Sequence, residues 1–386
     1  MKVYLQTLGC KLNESELEAW ARAFVARGDE LVDDPRLAET IVLNTCTVTA
    51  QAARKSRNVT RQLARAGDQA QIILTGCYAT MSPAQARALP NVTLVVPNAS
   101  KDALVELARE RVGDFPYATP FAAHDANKLG GLRTRAFVKI QDGCNMACTY
   151  CIIPLARGRA RSRPQAEIVD EIKRLANAGY QEVILTGVQI SDYRLEEREN
   201  GKGRLRGLCD LTRAILRETD LPRLRLTSIA PWDLDAELLD LFSDARLCRH
   251  LHLSLQSGSG SVVEFQDSLD FVERMNFARV HVFPYSAREG TVAAQLPLSV
   301  DDATKAARHQ AMQRVADASL RRFTENFVGR TLNVLYEENT AGGAEWTGYS
   351  DNYIRVVTPS RENLSNRLAP TRLTDITADG ARGELV

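Results

Sequence analysis

Three apolar runs in the first third of the chain each end on a cysteine, at TLGC, LNTC and LTGC. The segments that follow them, ESELEAWARAFVARG, AARKSRNVTRQLARAG and SPAQARALPN, have helical character, and VTLVVPNAS and DALVELARER add a last strand and helix. Apolar runs alternating with helices of period 3.6 build βαβ units and a parallel sheet. Cys10, Cys46 and Cys77 then fall at the carboxyl ends of three parallel strands, the rim where open α/β sheets bind ligands. The fold class expected here is multidomain α/β, beginning with an open parallel sheet that carries three thiols on one edge.

Residues 112–131, VGDFPYATPFAAHDANKLGG, mix Pro, Gly and small polar residues and read as a linker. A second βα series follows, with candidate strands RAFVKIQ, EVILTG, LRLTSI, HLHLSLQS and RVHVFPY. Its helix RPQAEIVDEIKRLANAG opens on Pro and stops before Gly179, as helix punctuation should. The helical stretch DATKAARHQAMQRVADASLRRFTENFVG leads out, and the short alternating segments after it predict a small C-terminal β-barrel. The expected units are residues 1–118, a linker at 119–131, a central unit at 132–320 and the barrel at 321–386.

The second series opens on GCNMACTYC, where Cys144, Cys148 and Cys151 are spaced by gaps of three and two residues. Structural zinc wants four protein ligands, usually as two pairs. The chain has only five histidines, of which His250 and His252 alternate along a candidate strand and read as packing residues. Three thiolates suit an iron–sulfur cubane with one open iron, which can bind a small molecule directly. The remaining cysteines, Cys209 and Cys248, read as small buried hydrophobes. Eight cysteines without signal peptide or long apolar run point to metal or redox chemistry in the cytoplasm, and no membrane span is expected.

At this point the residues resemble a known family. CxxxCxYC after the first strand of a βα-barrel is the signature of the radical S-adenosylmethionine (SAM) enzymes. There the open iron chelates SAM, and electron transfer cleaves a C–S bond to give a 5′-deoxyadenosyl radical. TLGCKLNESE, LNTCTVT and LTGCYA, followed by CNMACTYCIIPLARGRARSR, resemble the methylthiotransferases in particular, over nearly the whole chain. The resemblance implies an auxiliary 4Fe–4S cluster on Cys10, Cys46 and Cys77, a SAM-binding 4Fe–4S cluster on Cys144, Cys148 and Cys151, a (β/α)6 radical SAM barrel and a TRAM RNA-binding barrel. It also implies a SAM pocket drawn from Gly187, Gln189, Ser228 and Gln256, with Tyr150 on the adenine side. One SAM would supply the methyl group and another the radical, with the auxiliary cluster holding the sulfur to be transferred. Electrons and sulfur would come from external donors.

The opening TLGCKLNESE and the GRARSR run look most like the branch acting on N6-threonylcarbamoyladenosine at tRNA position 37. Sister branches act on N6-isopentenyladenosine or on a ribosomal-protein aspartate, and a non-catalytic iron–sulfur or zinc RNA-binding protein is the alternative of another class. A net charge of +1 provides no global field for RNA, so a basic site must be local. Arg157, Arg159, Arg161 and Arg163 lie directly after the second cysteine triple and are candidates for anchoring phosphates of the anticodon loop. Arg54, Lys55, Arg57, Arg61 and Arg65 form a second basic stretch. From Arg321 onward there are eight Arg against nine Asp plus Glu, so the C-terminal barrel is not basic, and Trp346, Tyr349 and Tyr353 either stack bases or, as the preferred reading, pack the barrel.

The chain departs from the family after LSLQSGSGSVV, where relatives carry one more helix and a strand ending in a GFPGE-like turn. Only five barrel strands are read where the family has six, so one βα unit after Val263 is expected to be missing. An omitted segment is favoured over a true deletion. Ala230 stands where relatives often have an acidic residue. Ala287 and Glu289 stand where prolines are common, which is expected to alter a loop only.

Overall fold

The computed structural model describes residues 1–112, 134–193, 205–254, 262–297, 300–340 and 343–386. The first third folds as β1 (Lys2–Thr7), α1 (Lys11–Ala26), β2 (Glu30–Leu31), β3 (Thr40–Thr45), α2 (Ala50–Ala66), β4 (Gln71–Gly76), α3 (Cys77–Met81), α4 (Pro83–Arg87), β5 (Val92–Val96) and α5 (Leu104–Val112). All five strands are parallel, in the order β2-β1-β3-β4-β5. Strand alternation sorts the core into two layers. Val3, Val42 and Ile73 pack under Trp20 and Phe24 of α1 and Leu104 of α5. Ile41, Leu43, Ile72 and Leu74 pack on the other face, under Leu63 of α2 and Tyr78 of α3.

This strand order has its topological switch between β1 and β3, because the chain leaves β1 to one side and returns on the other. Helices α1 and α2 therefore lie on opposite faces, and a crevice opens beyond the carboxyl ends of β1 and β3. The crevice carries Cys10 and Cys46.

The central part comprises β6 (Ala136–Lys139), β7 (Gln141–Asp142), α6 (Ile153–Arg157), β8 (Arg161–Ser162), α7 (Gln165–Asn177), β9 (Glu182–Thr186), α8 (Arg206–Glu218), β10 (Arg223–Leu226), α9 (Ala236–Asp240), α10 (Val262–Met275) and α11 (Asp302–Glu325). Strands β6, β9 and β10 form a parallel sheet in the order β10-β9-β6. Val138, Val183, Leu185, Leu224 and Leu226 bury its outer face against Ile168 and Ile172 of α7 and Leu208 and Leu211 of α8. The opposite face is polar: it presents Glu182, Arg223 and Arg225. Helix α1 packs against β6, and Glu18 Oε2 accepts the Phe137 amide at 3.0 Å. That contact satisfies an edge N–H which no neighbouring strand reaches.

Two of the five expected barrel strands do not form ladders among the described residues. HLHLSLQS contributes one isolated parallel bridge, Ile229 to Leu253, before its description ends at Ser254. RVHVFPY forms no strand and leaves Phe283 79% exposed. A strand needs a hydrogen-bonded neighbour on at least one side, and RVHVFPY has none among the described residues. The junction itself falls largely on residues 255–261, outside those described.

The chain ends in a closed barrel of β11 (Thr331–Asn339), β12 (Glu345–Ser350), β13 (Arg355–Pro359), β14 (Leu368–Thr377) and β15 (Gly380–Leu385), in the order β11-β12-β13-β15-β14. Val334, Tyr336, Trp346, Val356 and Leu373 fill it. It docks on the polar face of the central sheet through backbone carbonyls. Arg223 donates to Tyr349 O at 3.1 Å, and Arg225 donates to Asp351 O at 2.9 Å while pairing with Glu182 at 2.7 Å. Tyr349 and Tyr353 stack on each other at 5.0 Å beneath Arg135, so both serve the docking face, while Trp346 packs the barrel interior.

Candidate cluster sites and the junction between them

Cys10 is the N-cap of α1, Cys46 ends the run from β3, and Cys77 is the first residue of α3. The first thiol is exposed and the other two are buried. Ser56 of α2 holds the Cys46 backbone at both ends, its Oγ accepting from Cys46 N at 3.1 Å and donating to Cys46 O at 2.8 Å. Burial pushes the Cys46 thiol up to about 11, and the neighbouring Cys77 and Cys10 sulfurs push the same way. The three cysteines thus follow the carboxyl ends of the adjacent strands β1, β3 and β4. Asn98 Nδ2 approaches Cys77 Sγ at 3.6 Å, and Asn13 Oδ1 lies 3.9 Å from Cys10 Sγ.

The second triple lies in a loop pinched at its base by β7 and β8, which pair antiparallel as Gln141 with Ser162 and Asp142 with Arg161. Gly143 sits at φ +71° where the two sides of the loop cross; a Cβ there would stand 2.0 Å from Arg159 O. Only glycine fits that conformation and approach. Cys144 N donates to Gly158 O at 3.1 Å, and Met146 N donates to Cys144 Sγ at 3.4 Å. Burial pushes the Cys144 thiol up, as do Asp192, Cys151 and Cys148. Tyr150, 40% exposed, lies against the same sulfurs: desolvation pushes its hydroxyl up to about 12, with Cys148, Cys151 and Cys144 adding to the shift.

The turn after β9 is tied to this loop by Gln141. Its Oε1 accepts from Val188 N at 3.0 Å and Gln189 N at 3.1 Å, while its Nε2 donates to Gly143 O at 2.7 Å. Gln189 Nε2 and Ser191 Oγ both reach Asp233 Oδ2, at 3.3 and 2.7 Å. Ser228 follows β10 in the left-handed region at φ +57°, and its carbonyl accepts from Ile190 N at 3.0 Å. A non-glycine residue held there is the kind of backbone strain that collects at ligand sites. The structure thus brings Gly187, Gln189 and Ser228 to the ends of adjacent strands. Gln256 lies outside the described residues.

The two triples meet across a buried network. Arg157 donates to Glu16 Oε1 at 3.1 Å, to Asp142 Oδ1 at 2.8 Å and to Asn13 Oδ1 at 2.5 Å. Lys101 pairs with Glu16 at 2.5 Å, and Asn44 joins both. Asn98 bridges Cys77 to Ala156 O, which it reaches at 2.6 Å. The segment around Ser286 also spans the junction: Ala50 N donates to Ser286 Oγ at 3.2 Å, Arg288 reaches Thr47 at 2.6 Å, and Ala293 N donates to Thr149 O at 2.9 Å. The stretch around Ala287 and Glu289 is therefore more than an altered loop, because it links the neighbourhoods of both triples.

This geometry corrects the reading of the arginine run. Arg157 is buried with two carboxylates and has no path to a phosphate. Arg163 is occupied by Glu171 and Lys139 O, both at 2.8 Å. Arg159 and Arg161 are exposed, with no ion pair among the described residues, as are Arg54, Lys55, Arg61 and Arg65 on α2. Sequence reasoning missed Glu16, Lys101, Asn13, Asn98, Gln141 and Asp233. Their spacing contains no local pattern, since each acts only where separate loops converge.

Residues 2–97 match the model described as "Uncharacterized protein family UPF0004", and residues 138–279 match the radical SAM superfamily. A threonylcarbamoyladenosine tRNA methylthiotransferase of Bacillus subtilis is 30% identical, over 96% of this chain and 93% of that protein. The chain belongs to the radical SAM methylthiotransferases. A tRNA-2-methylthio-N(6)-dimethylallyladenosine synthase of Erythrobacter litoralis is 29% identical, over 90% of this chain and 89% of that protein. The alignment with the Bacillus protein runs over 426 positions, more than the 386 residues present here, so that relative has residues without a counterpart in this methylthiotransferase.

The cofactors of this methylthiotransferase are two 4Fe–4S clusters and SAM. Its own residues fit them. Among the described residues no group of three or more His, Cys, Asp or Glu side chains is spaced for a single metal ion. A cubane places its ligand sulfurs on separate irons and asks for a wider triangle than one ion does. Two buried cations, Lys101 and Arg157, interact electrostatically with Cys77, and the carboxylates of Glu16 and Asp142 pair with them. The second site offers thiols on a loop held by Gln141, beside a polar turn.

Proposed function

We propose that this methylthiotransferase inserts a methylthio group at C2 of N6-threonylcarbamoyladenosine 37 of tRNA. The observation that carries the reading is the meeting of the two cysteine triples across one buried network, so that a sulfur-carrying site and a radical-generating site serve the same substrate atom. Bound at Cys144, Cys148 and Cys151, the cluster and SAM supply the one-electron chemistry needed at a C–H bond that no side-chain base ionises. Gln141 holds the Gly187–Gln189 turn against the cluster loop, and Asp233 orients Gln189 and Ser191 toward the same pocket. Tyr150, beside the Cys148 and Cys151 sulfurs, would lie on the adenine side of bound SAM. Cys10, Cys46 and Cys77 hold the auxiliary cluster.

The base must be splayed from a single-stranded anticodon loop to reach this junction. Arg159 and Arg161, with Arg54, Lys55, Arg61 and Arg65 of α2, supply phosphate contacts. The auxiliary-cluster unit is the first described stretch, residues 1–112, the SAM unit lies within 134–320 and the TRAM barrel is 321–386, while the expected linker at 119–131 lies outside the described residues. Electrons and sulfur come from external donors in the cytoplasm.

Anaerobic reconstitution with iron and sulfide counts, followed by mass spectrometry of tRNA nucleosides, tests this. About eight iron atoms per chain are expected, and about four in either Cys77→Ala or Cys148→Ala. The methylthiolated nucleoside should be the threonylcarbamoyl form. Its isopentenyl counterpart would move the substrate to the sister branch, and bound zinc without iron would replace catalysis by a structural role.

A further inference from the structure

We propose that Arg157 is a positioning residue that couples the two cluster sites. Its guanidinium, clamped between Asn13 at the auxiliary site and Asp142 at the base of the SAM-cluster loop, fixes their spacing and raises the reduction potential of the auxiliary cluster. The inference rests on the assignment of a cluster to Cys10, Cys46 and Cys77.

The clamp is a continuous relay. Asn13 Oδ1 lies 3.9 Å from Cys10 Sγ and accepts from Arg157 Nη2 at 2.5 Å. The same asparagine ties the approaches to two cysteines, donating to Leu8 O at 2.8 Å and Thr45 O at 3.2 Å. On the far side, Arg157 Nη1 donates to Asp142 Oδ1 at 2.8 Å, and that oxygen also accepts from Gly143 N at 2.8 Å. Gly143 directly precedes Cys144. Asn98 makes an independent second tie, from Cys77 Sγ to the carbonyl of Ala156, the residue before Arg157.

The planar guanidinium suits this place because it offers several donors in fixed directions and stays charged when buried. The Arg157 side chain is 1% exposed, so solvent screens its field little. Cluster potentials respond to net charge and hydrogen bonding around the sulfurs. Reduction adds negative charge to the cluster, and a nearby cation favours the reduced form. Glu16 and Asp142 offset part of that charge, but they remain in an Arg157→Gln variant, so the substitution removes one positive charge whatever they contribute.

The test is an electron paramagnetic resonance redox titration of the reconstituted full chain, in which the auxiliary signal is the one absent from Cys77→Ala. Arg157→Gln should shift the auxiliary potential to a more negative value, and Asp142→Asn, which removes a compensating carboxylate, should shift it to a less negative one. A purely structural role would lower iron content or melting temperature and leave the potential of the folded fraction unchanged. An unchanged potential in Arg157→Gln with about eight irons bound overturns the proposal. Should that variant fail to fold, Asp142→Asn decides alone: an upward shift supports the coupling and no shift overturns it. A wild-type chain binding only about four irons, with Cys77→Ala losing none, removes the cluster assignment itself and the coupling with it.

Discussion

Glu16 and Lys101 form an ion pair at 2.5 Å with both side chains 2% exposed. Burial opposes the charge on Glu16, yet Lys101, Arg157 and Lys139 together hold its carboxyl well below the usual range. Removing one member of a buried pair strands the other charge and costs about 3–5 kcal/mol. Lys101→Met is therefore expected to lower the thermal midpoint of the cluster-free protein sharply, and Glu16→Gln to do so as well. The pH dependence has a defined sign. A carboxyl with a depressed folded pKa contributes its full stabilisation above its unfolded value of about 4.5 and loses it as the pH falls further. Urea unfolding should show a steeper acid loss in wild type than in Glu16→Gln, and equal slopes would mean that Glu16 is not the group responsible.

Gly187 separates the SAM-side turn from Gln141 with no room to spare. A Cβ at Gly187 would lie 2.9 Å from both Gln141 O and Oε1 and 3.0 Å from Ile190 Cγ2. Those are tighter than normal van der Waals contacts, and two of the three atoms belong to the residue that anchors the turn. Gly187→Ala should displace the turn and weaken SAM binding by roughly 10-fold, the effect of losing about one hydrogen bond at about 1.4 kcal/mol. Gln141→Ala should do the same by removing the anchor. Equilibrium binding of SAM to the reconstituted protein measures both, and unchanged affinity in both would place the SAM pocket elsewhere.

Much of this arrangement was legible in the sequence because it depends on local pattern. Strand-ending cysteines placed Cys10, Cys46 and Cys77 on one rim, and the tight spacing of Cys144, Cys148 and Cys151 keeps all three on one loop. The β2-β1-β3-β4-β5 order explains why the first three converge, but no run of residues encodes that order. Long-range polar contacts were invisible for the same reason: Arg157 looks like its neighbours Arg159 and Arg161 in ARGRARSR. It differs because α6, Ile153–Arg157, turns it inward while the chain beyond Gly158 runs along the surface. RVHVFPY failed for the opposite reason: alternation shows that a segment suits a strand, whereas a ladder also needs a partner, and none pairs with it among the described residues.

That difference within one arginine run can be read by salt. Arg159 and Arg161 are exposed without ion pairs among the described residues, while Arg157 is buried between carboxylates. Neutralising a phosphate contact weakens binding across RNA sequences and reduces the dependence of log K on log salt by about 1 per residue. The double variant Arg159→Ala/Arg161→Ala should therefore bind tRNA more weakly, with a slope shallower by about 2, and keep its melting temperature, since surface changes of this kind usually fall within about 0.5 kcal/mol. Arg157→Ala should show the reverse, a large loss of stability and an unchanged slope in whatever fraction remains folded. Filter binding from low to moderate salt gives the slopes. A shallower slope for Arg157→Ala would return the RNA contact to the buried residue and contradict the geometry of the junction, and an unchanged slope for the double variant would take the contact away from Arg159 and Arg161.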